Sequence, residues 1–215
     1  MPLVQLVPLL AAAGLVGILH MSAPDHWVTL CMLGKRASWS RARLLWFGVA
    51  TAGGHVILSV GLGLAIVLLG VVFSHALSSY LTLGTGAVMV VAGLAYGFYH
   101  LAHEEPEDYD REAAEEMARM KAAGKGVGYF AVLGGALSPD LSILPIFLIA
   151  SQGAVAMVAD TALVFAAASM LTMLTFVTVG SIGLAKAFSR APARYNDSLI
   201  GFVIAAVGAF VILFG

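Results

Sequence analysis

The 215 residues are 60% hydrophobic and only 11% charged, with a mean hydropathy of +0.97, which excludes a soluble domain with a solvated surface and points to an integral membrane protein. Eleven Lys and Arg against twelve Asp and Glu leave a net charge of −1, with no basic patch interleaved with aromatics, so no nucleic-acid partner is expected. One cysteine, Cys31, rules out an internal disulfide or a dithiol relay.

Hydropathy predicts an all-α polytopic membrane protein with six spans, at 3–33, 44–73, 79–100, 127–157, 160–187 and 198–215. No positive residue precedes the first apolar run, so a first span is expected there rather than a cleaved signal. Within it lies "LHMSAPDHW", which puts His20, Asp25 and His26 around Pro24. A carboxylate at membrane depth costs on the order of 3 kcal/mol, and such residues usually mark a route or a relay. Pro24 removes the amide that would bond the carbonyl of His20 and disfavours helix at Ala23, so the helix is expected to open between the histidines. On an unbroken helix, residues six apart point about 120° apart; a break lets them converge. Two neutral imidazoles and a carboxylate suit nickel, cobalt or zinc, whereas magnesium and calcium prefer oxygen alone. The plainer alternative is a helix cap at the membrane interface.

The second span carries "TAGGHVIL", where the pair Gly53 and Gly54 is expected to permit close helix approach and His55 to reach the motif as a ligand or a supporting group. The alternative for His55 is a packing contact with its ring bonded to a backbone carbonyl. His75, His100 and His103 fall at span ends, where water satisfies them, and receive no role. The polar segment 101–126 contains "DREAAEEMARMKAAGK", acids early and bases late, expected as a short solvated helix within an acidic cytoplasmic linker. A metal-collecting loop is its alternative.

In the second half, Pro139 and Pro145 lie inside the fourth span beside Asp140. A constant offset of 115 positions lays Pro24-Asp25 on Pro139-Asp140, Gly86 on Gly201 and Gly93 on Gly208. Three spans per half force the halves into opposite orientations, which predicts two inverted three-helix repeats, 1–100 and 127–215, with broken first helices and a site near the pseudo-twofold axis. Asp140 becomes a candidate for proton coupling or a second site, the alternative being a cap or a repeat relic. Met170 falls on His55 under the same offset and is a weak candidate ligand; Met21 and Met173 offer thioethers too, but methionine is common filler in apolar helices. Every lysine and arginine falls in the segments after the first, third and fifth spans, so the basic loops are expected in the cytoplasm and both termini outside the cell membrane.

His20-Met21-Ser22-Ala23-Pro24-Asp25-His26 resembles the H-x4-D-H signature of the nickel/cobalt transporter superfamily, with its urease-accessory and nickel/cobalt-efflux branches. "GGHVIL" around His55 is similar to that family's second signature, and "LSPDLSILP" to the segment opening the second half of efflux-type members. The resemblance implies a permease with His20, Asp25, His26 and His55 in the metal path. It implies nickel or cobalt as transported substrate and no organic cofactor, with a cytosolic metallochaperone as candidate partner. The sequence departs from the family at Met21, where alanine is usual, at Val56, where serine is usual, and in lacking a His-rich cytoplasmic stretch.

Two other functions fit part of the pattern. His20-x4-Asp25 matches the H-x4-D motif of glycerolipid acyltransferases, but only the linker is left outside the bilayer to build a catalytic domain. A three-plus-three architecture also serves exporters of amino acids or small organic anions, with His and Asp handling protons. No enzyme activity is expected, and no nucleotide-binding G-x4-G-K-[ST] motif is present.

Overall fold

A computed structural model describes residues 3–103, 108–135, 141–151, 155–183, 185 and 194–214. Among these the chain is helical without strands: α1 (Leu3–Ser22), α2 (Pro24–Arg36), α3 (Arg41–His103), α4 (Tyr109–Gly135), a 3-10 turn (Leu141–Ile143), α5 (Leu144–Ala150), α6 (Val155–Ser181) and α7 (Arg194–Phe214). Among the described residues three stretches are long and apolar enough to cross a bilayer, Arg41–Ala65 and Gly86–His103 within α3, and α6; α1 with α2, bent by 40°, makes a fourth if the pair is one broken span. Asp197–Leu213 is apolar but shorter. Large apolar side chains such as Ile57, Val88, Val91, Leu163 and Leu171 point outward on these helices, as a lipid-facing surface requires.

The expected loop between the second and third spans is helical instead. From Arg41 to His103 there is no proline to remove an amide donor, so α3 runs for 63 residues, about 95 Å of rise and some three times the hydrocarbon core. The expected linker likewise differs: α4 starts at Tyr109, capped by Asp108 Oδ1 on the amides of Asp110 and Arg111, and continues into the region of the fourth span. Its first turns are docked on α2, with Tyr109 and Ala113 fully buried, Thr29 donating to Glu112 (3.2 Å) and Arg36 paired with Asp110 (2.6 Å). The helix was expected to be solvated all round; the apolar stripe Tyr109, Ala113, Met117 and Met120 gives it a packed face. Asp140, with 136–140, lies outside the described residues.

Glycines set how closely the helices meet. A methyl group at Gly14 would lie 3.4 Å from Val164, and one at Gly17 2.8 Å from Ser169 Oγ, so α1 runs parallel to α6 in close contact. The second half of α3 packs antiparallel on α7 nearly backbone to backbone, Gly86 against Gly208 and Gly93 against Gly201. The first half of α3 packs on α6, with Gly48 against Val177. Two apolar clusters result, one around Val16, Val56, Phe147 and Phe165, the other around Met21, Trp27, Phe47 and Met173. Leu19 packs on the first and Met21 belongs to the second, so His20 stands at their junction.

Candidate metal site

The helix breaks where the proline dictates. Ala23 is extended (φ −58°, ψ 134°) and Pro24 is the first residue of α2, its missing amide falling where a helix has no partner for one. The carbonyls released by the break are still satisfied, as apolar surroundings demand. Ala23 N bonds His20 O (3.1 Å), Ser22 Oγ bonds Leu19 O (2.8 Å) and the Trp27 indole bonds Ser22 O (3.1 Å). Trp27 is buried and locks the bend from below.

That bend brings the two motif histidines together. Nε2 of His26 and Nε2 of His20 are 3.0 Å apart, one donating and the other accepting, with ring centroids 4.6 Å apart. His55 arrives from α3, its ring centroid 4.8 Å from that of His20 and 5.4 Å from that of His26. Residues 35 positions apart thus form one cluster of three imidazoles. His55 is 1% exposed, and neither of its ring nitrogens has a hydrogen-bond partner. The packing alternative required a bond to a backbone carbonyl, and that bond is missing. Buried polar atoms left unpaired cost about 1–3 kcal/mol each, which a fold tolerates where something else is to bind them.

Asp25 stands in the first turn of α2, where the helix dipole favours a carboxylate, with Oδ2 3.8 Å from His26 Nε2 and 44% of its side chain exposed. It flanks the imidazoles on their open side. With the rings as they lie, no group of three or more His, Cys, Asp or Glu among the described residues is arranged to hold a metal ion. The reason is geometric: His20 and His55 are stacked at 26°, presenting faces rather than lone pairs to each other.

No family model, curated protein or solved structure matches the chain. The resemblance to nickel/cobalt permeases rests on the motif residues alone.

Of the expected site residues, His20, His26 and His55 meet and Asp25 stands beside them. Met170 packs, partly buried, on the cluster of Met21 and Trp27, and Asp140 falls outside the described residues. Of the pair Gly53 and Gly54, expected to permit close helix approach, Gly53 makes none, since a methyl group on it would touch nothing within 4 Å. His100, expected to be satisfied by water, has Asp197 Oδ2 3.9 Å from its Nδ1. Sequence inspection passed over Ser169, the neighbour of Met170, which is fully buried with its hydroxyl unpartnered.

Pro24→Ala tests the bend. The restored amide can bond His20 O and straighten the chain, turning His26 about 120° away from His20. The variant is expected to keep its helix content by circular dichroism and to bind nickel at least about tenfold more weakly in calorimetric titration.

Proposed function

We propose that this chain is a secondary transporter that moves a divalent transition-metal ion, nickel or cobalt, across the cell membrane by alternating access. The observation that carries this is the meeting of three imidazoles from α1, α2 and α3 with both nitrogens of His55 left unpaired. Imidazole nitrogen is a donor that suits nickel, cobalt and zinc, and Asp25 supplies charge to offset that of the ion. The acyltransferase alternative pairs His20 with Asp25 and leaves His55 without a purpose, and no observation favours anion export.

The architecture we propose is six spans in two inverted three-helix repeats, in which Arg41–Ala65 and Gly86–His103 are the second and third crossings and α3 turns back between them. Inverted repeats require equivalent helices that meet to run antiparallel, and the end of α3 with α7 is such a pair. In it the glycines equivalent by the offset of 115 face one another crosswise, Gly86 with Gly208 and Gly93 with Gly201, the pattern that a twofold relation generates. Rocking of one repeat against the other would open the imidazole cluster to either side in turn. We place the basic loops in the cytoplasm and both termini outside.

Titration calorimetry of the purified protein tests the reading. One nickel or cobalt ion per chain should bind, and because protons compete for imidazole lone pairs, affinity should fall on acidification. Proteoliposomes should show uptake of the same ion. Absence of binding near neutral pH would refute the proposal.

A further inference from the structure

Serine and threonine in apolar helices ordinarily satisfy themselves by donating back to a carbonyl one turn earlier. On α6, Thr161, Thr175, Thr178 and Ser181 do so, at 2.6–2.7 Å. Ser169 on the same helix does not: its hydroxyl is fully buried, has no partner, and faces α1 at Gly17. A methyl group at Gly17 would fall 2.8 Å from Ser169 Oγ and 3.0 Å from Phe165 O, so glycine there lets α1 pack directly against the hydroxyl. Gly17 is three residues before His20 on the same face of α1, a rise of about 4.5 Å. On α3 a polar line passes the same level, Thr51, His55 and Ser59 following one another at four-residue spacing, all buried.

We infer that Ser169 Oγ is a further ligand station on the ion's route, one helical turn from the imidazole cluster, where a divalent transition-metal ion exchanges a water for a protein oxygen before it meets the histidines. The inference rests on the transporter reading and adds a residue to it. A neutral hydroxyl binds such an ion weakly, which suits a station the ion must leave again.

Ser169→Cys, close in size, turns the weak oxygen donor into a strong thiolate donor. Built on Cys31→Ser, which keeps a hydroxyl to donate to Val177 O as the thiol does, it leaves one thiol in the chain. Titrated with cobalt(II), this variant should develop a near-ultraviolet thiolate-to-cobalt charge-transfer band that Cys31→Ser alone lacks. Ser169→Ala should lower proteoliposome uptake by about tenfold while leaving calorimetric affinity within about twofold of wild type. Cobalt bound at the imidazoles with no charge-transfer band in the cysteine variant and normal uptake by Ser169→Ala would overturn this inference and leave the transporter reading standing. Failure of wild type and Cys31→Ser to bind cobalt at all would overturn both.

Discussion

Replacing His55 by leucine is expected to raise the stability of the metal-free protein while abolishing metal binding. The imidazole is buried with both nitrogens unpaired, a cost of about 1–3 kcal/mol for each group, whereas leucine is of similar volume and carries nothing to satisfy. Wild type should gain melting temperature on addition of nickel, because an ion that binds only the folded state stabilises it by mass action. His55→Leu should melt higher than wild type without metal and show no gain with it. Its nickel affinity should drop by more than about a hundredfold, beyond the 10–100-fold typical of losing a group that merely supports a ligand. A variant that melts lower than wild type and still binds nickel would return His55 to a packing role. His20→Leu and His26→Leu should lose binding too, but the hydrogen bond between their Nε2 atoms goes with either, so neither should gain the same stability.

The contrast between these histidines marks what was legible in the sequence. Pro24 acts on its own backbone neighbours, so the break at Ala23 and the meeting of His20 with His26 follow from local stereochemistry. His55 meets the motif as the glycine pair before it suggests, yet Gly53 makes no close approach. The junction at 74–79 was misjudged because polarity was taken for a turn, although Ser, His, Ala and Leu with no proline can all continue a helix. In α4 the charges hid the stripe of Tyr109, Ala113 and Met117, a four-residue spacing as plain as any on an apolar helix. Ser169 carries no sequence signal at all. Its meaning lies in a hydrogen bond it does not make, and only neighbouring helices reveal that.

Gly201→Ala is expected to be the most damaging methyl group that can be added to the bundle. It would fall 2.5 Å from Gly97 N, 2.6 Å from Gly93 O and 2.7 Å from Gly97 Cα, all backbone atoms of α3 that no rotamer change can move aside. Relief requires α7 to separate from α3, breaking the contacts of Gly93 with Gly201 and of Gly86 with Gly208 and the apolar seam along Met89, Ile200 and Ile204. Overpacking costs about 1–3 kcal/mol where side chains can yield, and the upper end applies where they cannot. With about 2–4 °C per kcal/mol for a chain of this size, Tm should fall by about 5–10 °C. Gly61→Ala is the matched control: a methyl group there meets nothing within 4 Å, and the helix propensity of alanine should leave Tm unchanged or slightly raised. Because α3 and α7 are the equivalent third helices of the proposed repeats, the Gly201 change should also slow transport in protein that remains folded, while the distant imidazoles keep their nickel affinity. Equal melting temperatures for the two alanine variants would mean that α3 and α7 do not meet at these glycines.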